Sequence, residues 1–181
     1  MTGVPAVERL DRQLLEVLPR QLLSRGSRFK PAVYRIELAG GSAILKDCAD
    51  APGWSRPLAV WLLKRERRAL ERLAGQEGFP QILAQVDARA LLIGNLPGHA
   101  MHGEVFAETP RAWAEALRQR VAVMHSCSVY HLDLRQPQNL LADAHHGLSV
   151  VDFGAAFAPG PIGRLLYGRL LAWVDRQAAL K

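Results

Sequence analysis

The chain has 181 residues, of which 49% are hydrophobic and 22% are charged, a composition typical of a globular protein with a sizeable core. No apolar run reaches the roughly 18 residues that span a bilayer, and the acidic Glu8, Asp11 and Glu16 do not fit a secretory signal. We therefore expect a cytoplasmic protein without a transmembrane segment. The net charge of +6 suits an anionic partner such as a nucleotide. Because the basic residues are spread along the chain, nucleic acid is not the expected partner.

The first half of the chain is predicted to be mostly strands. Apolar residues at helical spacing indicate a helix over residues 6–18, which Pro19 ends, and a second helix over residues 58–74. Strand-like segments on either side of the turn at Gly40-Gly41 indicate a hairpin. The predicted strands cover residues 32–38, 42–46, 81–86 and 90–96.

The second half is predicted to be mostly helical. Thr109-Pro110 is typical of a helix start, and the helix that follows extends to about Ser126. After it come a polar loop, a turn at His145-His146 and an apolar strand over residues 148–152. This order predicts an α+β fold with an N-terminal sheet lobe, a helical lobe and a hinge near Gly94-Asn95-Leu96.

The last predicted helix, over residues 163–179, carries an apolar stripe. We interpret the stripe as core or as an interface, with peripheral contact to the inner face of the membrane as a further alternative. The stripe consists of Leu165, Leu166, Leu170 and Trp173.

Two acids and an amide stand in neighbouring loops of the second half. The sequence HLDLRQPQN places Asp133 in a polar loop with Asn139 six residues later, and VVDFG places Asp152 at the end of an apolar strand. Magnesium–nucleotide chemistry needs such a set. One acid takes the proton of an acceptor hydroxyl, while the other acid and the amide hold metal against the phosphates.

These residues resemble the protein-kinase-like superfamily, whose pattern is H-R-D-L-x-x-x-N followed by D-F-G. The resemblance implies that Asp133 is catalytic and that Arg135 is catalytic as well, by neutralising the transferring phosphate; pairing of Arg135 with an acid is the alternative. It also implies that Asn139 and Asp152 bind Mg²⁺. The implied fold is a single two-lobed domain over residues 1–181, with a small antiparallel sheet lobe to about residue 95 and a truncated, mainly helical lobe from about residue 96.

Upstream residues fit the same resemblance as parts of an ATP site. Lys46, in a strand, resembles the lysine that steadies the α- and β-phosphates, and Glu66, in the next helix, resembles its partner. Gly26 begins the segment in the place of the phosphate-covering loop, although this segment has one glycine and not three. The backbone of Gly94-Asn95-Leu96 is expected to contact adenine.

Two departures from the superfamily pattern narrow the resemblance. Asn139 lies six residues after Asp133 where the pattern has five, so the loop must bulge by one residue. Only 27 residues follow Gly154, and no A-P-E motif is present. The chain therefore looks more like compact atypical bacterial kinases, including RIO-like and lipopolysaccharide-core sugar kinases. His131 is expected to brace the loop rather than to take part in chemistry.

The sequence leaves several functions open. The leading one is ATP-dependent phosphoryl transfer to a hydroxyl of a protein Ser/Thr, a lipopolysaccharide-core sugar or a small molecule. One alternative is a non-catalytic nucleotide-binding scaffold, which the single-glycine loop favours. A basic RNA-associated subunit is suggested by the charge alone. Cys48 and Cys127 lie far apart in the chain and are expected to be reduced thiols.

Overall fold

The structure, a computed structural model, describes residues 12–38, 41–101, 110–143 and 147–179. Predictions made for residues 6–11, Gly40, Thr109 and His145-His146 lie outside these ranges. The chain divides into two compact units. Unit 1 comprises the residues up to Arg67 together with Gln81–Asn95, and unit 2 comprises Arg68–Pro80 and Leu96–Lys181.

Unit 1 is built on a five-stranded antiparallel sheet in the order β1-β2-β3-β5-β4. The strands are β1 Arg20–Ser24, β2 Ala32–Leu38, β3 Gly41–Asp47, β4 Ile82–Asp87 and β5 Ala90–Gly94. The four predicted strands are confirmed, with ends that differ by at most two residues. Strand β1 was not predicted from the sequence. This strand lies at the sheet edge and is exposed at every residue, so its sequence lacks the usual alternation.

Two helices accompany this sheet, the second of which has its last residues in unit 2. The helices are α1 Arg12–Val17 and α2 Arg56–Arg72. Leu15 of α1 is buried in a core that includes Ile36 of β2. Arg12 donates hydrogen bonds to the carboxylates of Asp47, at 2.9 Å, and Asp87, at 2.7 Å. These bonds fix α1 to the ends of β3 and β4.

Unit 2 contains a three-stranded antiparallel sheet, in the order β6-β7-β8, and two long helices. Its elements are β6 His99–Ala100, α3 Pro110–Ser126, β7 Leu140–Asp143, β8 Gly147–Val150 and α4 Pro161–Ala179. Helix α3 packs on β8 and α4, and the rings of Phe79 and Phe153 meet at 6.1 Å in the core. The predicted helix from Pro110 to Ser126 is confirmed.

The apolar stripe of α4 does not form core. Its side chains are exposed to 84% (Leu165), 65% (Leu166), 61% (Leu170) and 57% (Trp173). The core interpretation is therefore wrong, because the buried positions of this helix carry Gly168 and Asp175 instead. Within the described residues, no helix has the length and apolar character needed to cross a bilayer.

The α+β class with antiparallel sheets is confirmed and is compatible with a kinase-like fold. The strand predicted over residues 148–152 ends at Val150, so Asp152 lies in the following loop. Cys48 is buried and Cys127 is half-buried, and both are free thiols, as expected.

Candidate functional site

The loop over residues 131–139, here called the catalytic loop, is braced by His131. This side chain is fully buried, and its Nε2 lies 3.0 Å from the carbonyl oxygen of Val151. The amide of Asp133 donates to its Nδ1 at 3.3 Å. Because Nδ1 accepts, Nε2 carries the proton of a neutral ring. Burial lowers the pKa of His131, which favours the same neutral form. The bracing role predicted for His131 is confirmed by these contacts.

A second brace, Asp175 of α4, was missed by the sequence analysis. Its fully buried carboxylate accepts hydrogen bonds from the amides of His131, at 2.9 Å, and Leu132, at 2.8 Å. His125 Nε2 lies 3.0 Å from the same carboxylate. Leu132 has a φ of 65°, an unfavourable left-handed conformation that these bonds stabilise. The available signal was that Asp175 is the single acid of a long apolar and basic helix.

The structure brings Asp133 and Asn139 together. The side-chain amide of Asn139 donates to the Asp133 carbonyl oxygen at 2.8 Å and to its Oδ2 at 3.3 Å. A single 3-10 turn, Pro137–Asn139, ends this loop. The one-residue bulge expected between Asp133 and Asn139 stays a prediction. Arg135 is exposed in the same loop, and its catalytic role stays a prediction.

Asp152 follows β8 in a left-handed conformation, with φ 59° and ψ 70°. Its neighbour Phe153 is fully buried, and the Phe153 ring lies 4.9 Å from the His131 ring. The amide of Val151 donates to the Asn139 carbonyl oxygen at 2.8 Å. These contacts tie the DFG segment to the catalytic loop, while the Asp152 side chain itself is exposed.

The oxygen donors of unit 2 suit a magnesium ion. The NH₂ group of Asn139 is engaged by Asp133, which leaves the amide oxygen as the atom suited to a metal. Asp152 offers an exposed carboxylate. Carboxylate and amide oxygens are the ligands that Mg²⁺ prefers. Metal binding by these two residues stays a prediction.

In unit 1, Lys46 of β3 and Glu66 of α2 form an ion pair with Nζ and Oε1 2.5 Å apart. Their side chains are only 7% and 2% exposed. The pairing predicted for these residues is therefore present. A buried lysine held by a carboxylate keeps its charge at a fixed place. Contact of this lysine with a nucleotide stays a prediction.

The segment Gly26–Lys30, here called the glycine loop, joins β1 to β2. The Ser27 amide donates to the Lys30 carbonyl oxygen at 3.1 Å, and Ser27 Oγ accepts from the amides of Phe29 and Lys30 at 3.4 and 3.3 Å. Gly26 has a φ of +70°, and a Cβ there would lie 2.7 Å from a backbone nitrogen across the turn. Three amides of this loop are thus used within the loop itself.

The predicted hinge, Gly94-Asn95-Leu96, also uses part of its backbone internally. The Gly94 amide donates to the Gln81 carbonyl oxygen at 2.8 Å, and the Asn95 amide donates to the Ser42 carbonyl oxygen at 3.4 Å. Contact of the hinge backbone with adenine stays a prediction.

Parts of this chain are similar in sequence to known protein kinases. No family model matches the chain. CBL-interacting protein kinase 30 of rice (Oryza sativa subsp. japonica) is 32% identical over 151 residues, which are 77% of this chain and 31% of that kinase. CBL-interacting protein kinase 9 of rice is 45% identical over 58 residues, which are 32% of this chain and 12% of that kinase. The chain thus spans less than a third of the length of the curated relatives it matches.

These similarities support a place for the chain in the protein-kinase-like superfamily. The narrower resemblance to RIO-like and lipopolysaccharide-core kinases stays a prediction.

Proposed function

We propose that this chain transfers the γ-phosphoryl group of ATP, bound with Mg²⁺, to a hydroxyl acceptor. The observation that carries the proposal is the hydrogen-bonded pair of Asp133 and Asn139 in the braced catalytic loop. In kinases, a catalytic-loop aspartate accepts the proton of the substrate hydroxyl, and an asparagine of the same loop holds a magnesium ion. The kinase relatives support the same reaction.

In unit 2, each residue has one proposed task. Asp133 orients the acceptor hydroxyl and takes its proton at a carboxylate oxygen. Asn139 and Asp152 hold the metal through their side-chain oxygens. Arg135 is exposed two residues after Asp133, and its positive charge offsets charge on the transferring group. Mg-ATP, when bound, supplies the phosphoryl group and the cation that neutralises it.

In unit 1, the proposed tasks concern nucleotide binding. Lys46 contacts the α- and β-phosphates, and Glu66 keeps its ammonium in place. Because the glycine loop uses three amides internally, we propose that the exposed side chains of Arg28 and Lys30 supply charge toward the phosphates in their place. The hinge backbone contacts adenine, and the proposed donor is the amide of Leu96, which belongs to unit 2, because the amides of Gly94 and Asn95 are used internally.

The proposed acceptor is a serine or threonine hydroxyl of a protein in the cytoplasm. The relatives named as protein kinases support this choice over a sugar or a small molecule. The three acceptor classes share the same chemistry at the hydroxyl, so they are separated by the test rather than by the catalytic loop.

The test is phosphoryl transfer from γ-labelled ATP by the purified chain in the presence of Mg²⁺. Lysate protein, lipopolysaccharide core and small polyols serve as separate acceptors. We expect label on protein, with Asp133→Asn and Asp152→Asn each lowering the rate by about a thousandfold or more. Asp50→Asn, at an exposed position, is the matched control and should keep the full rate.

Two outcomes would contradict the proposal in different ways. A wild-type protein that neither transfers nor hydrolyses the γ-phosphate, yet melts at a higher temperature with Mg-ATP, is the non-catalytic scaffold. A wild-type protein that shows no transfer and no ATP-dependent shift in melting temperature lacks the proposed site altogether.

A further inference from the structure

Helix α4 presents one continuous apolar face to solvent. At about 100° per residue, Ile162, Leu166, Leu170 and Trp173 fall within a single narrow arc of the helix. These four side chains are 75%, 65%, 61% and 57% exposed, and Leu165 beside them is 84% exposed. A contiguous face of large apolar side chains in water is a sign of a binding surface.

The charges on this helix are all positive at its surface. Arg169 and Arg176 are exposed and lie on the helix surface between Leu165 and the other four apolar residues, and Arg164 is exposed elsewhere on the helix. Asp175 is the one acid of α4, and it is fully buried. The surface of α4 therefore combines leucine and tryptophan with arginine and presents no carboxylate.

The opposite face of α4 is firmly anchored within unit 2. Asp175 accepts hydrogen bonds from the catalytic-loop amides of His131 and Leu132. Gly168 is buried, and a Cβ at this position would lie 2.9 Å from the Tyr130 hydroxyl oxygen. The helix thus cannot turn its apolar face inward without breaking these contacts.

We propose that the outer face of α4 docks on a membrane surface rich in anionic lipid. An amphipathic helix with leucine, tryptophan and flanking arginine lies in the lipid interface, where apolar burial and attraction to lipid phosphate add together. A second copy of the chain fits less well. A twofold contact through this face would bring Arg169 and Arg176 of both copies together, with no exposed carboxylate on α4 to neutralise them.

Sedimentation with lipid vesicles tests this proposal on the full chain. One set of vesicles contains phosphatidylcholine alone, and the other contains equal parts of phosphatidylcholine and phosphatidylglycerol. We expect the protein to sediment with the anionic vesicles, and added salt to weaken that binding. Neither nucleotide nor turnover is needed, so the result is independent of the proposed kinase activity.

The helix offers a matched pair of variants. Leu170→Gln with Trp173→Gln should weaken vesicle binding by at least about tenfold, because both side chains lose their burial in lipid. Leu58→Gln with Trp61→Gln changes a leucine and a tryptophan at the same spacing on α2, with 44% and 51% exposure, and should bind as the wild type. Arg169→Gln with Arg176→Gln should lose about tenfold or more on anionic vesicles.

Several results would overturn the proposal. The proposal is wrong if the wild type stays in the supernatant with anionic vesicles, or if it binds neutral vesicles equally well. Equal losses in the α2 and α4 variants would mean that the face of α4 has no special role. A dimer in solution that Leu170→Gln with Trp173→Gln dissociates, without vesicle binding, would identify a second copy as the occupant.

Discussion

The glycine loop and the catalytic loop are stabilised in opposite ways. The glycine loop, residues 26–30, is held by its own backbone and by the Ser27 hydroxyl, all at the surface. The catalytic loop, residues 131–139, is held by buried side chains of His131 and Asp175, the second of which lies far along the chain. The loop that is proposed to carry the chemistry is therefore the one that is held by buried contacts with the rest of its unit.

The largest effect should come from removing the distant brace. Asp175→Ala would leave the amides of His131 and Leu132 without their acceptor, at a cost of about 3 to 5 kcal/mol in the free energy of unfolding. Urea unfolding measures that cost. Asp50→Ala, at an exposed position, is the control and should change stability by less than about 0.5 kcal/mol.

Asp175→Asn refines this prediction. It keeps the size of the side chain and one oxygen acceptor, so it should be less damaging than Asp175→Ala. Equal stability of Asp175→Ala and Asp50→Ala would show that the catalytic loop does not depend on α4.

The next effect concerns the buried ion pair of unit 1. Lys46→Met removes the lysine partner of Glu66, which is 2% exposed, and should cost about 3 kcal/mol of stability. Adding Glu66→Leu should restore most of that loss, because an apolar pair can replace a buried ion pair. Phosphoryl transfer should stay lost in the double variant, since the proposed phosphate contact is gone.

The control for this pair is Glu115 with Arg118, whose side chains are both 57% exposed. Glu115→Gln should change the free energy of unfolding by less than about 0.5 kcal/mol. If the double variant at positions 46 and 66 regains phosphoryl transfer along with stability, the pair is structural only.

Much of this arrangement could be predicted from the sequence, and the exceptions have physical causes. Local patterns were enough for strands β2 to β5 of unit 1 and for α3, because periodicity and a proline at the helix start are local signals. The motif spacing brought Asp133, Asn139 and Asp152 into one region. The role of Asp175 was not predicted, because its partners are backbone amides more than forty residues away, which leave no trace in the local sequence.

The exposed stripe of α4 shows a second limit of prediction from local sequence. Leucine and tryptophan at helical spacing indicate an apolar face, but they do not show which side of the helix the rest of the chain covers. The edge strand β1 carries too little burial to be recognised at all.

A smaller effect tests the glycine loop. Gly26 and Gly75 have nearly equal φ values, +70° and +76°, but a Cβ would meet backbone atoms at 2.7 to 2.8 Å at Gly26 and nothing within 4 Å at Gly75. Gly75→Ala should therefore cost about 1 kcal/mol for the left-handed conformation alone. Gly26→Ala should cost roughly 1 to 3 kcal/mol more, measured by urea unfolding. Equal costs for Gly26→Ala and Gly75→Ala would mean that the glycine loop accommodates the added methyl group without strain.

The smallest effect is the stability lost when one arginine is removed from each unit, and its pH dependence should differ between the two units. Arg12 in unit 1 donates to the carboxylates of Asp47 and Asp87, whereas Arg120 in unit 2 donates to the carbonyl oxygens of Glu77 and Leu148. Arg12→Met should cost about 1 to 2 kcal/mol at neutral pH. Arg120→Met should cost a similar amount, because it breaks two charge-assisted hydrogen bonds.

The pH dependence follows from the pKa of Asp87, which the hydrogen bond from Arg12 lowers. A carboxyl with a lowered pKa in the folded state stabilises the fold above its unfolded pKa of about 3.9, and this contribution is lost as the pH falls through the folded value. The stability difference between the wild type and Arg12→Met should therefore be constant from neutral pH to about pH 5 and shrink in more acid solution. The difference for Arg120→Met should not follow that course, because carbonyl oxygens do not titrate. Urea midpoints across this pH range measure both differences, and parallel curves for the two variants would contradict the assignment of Asp87 as the titrating partner.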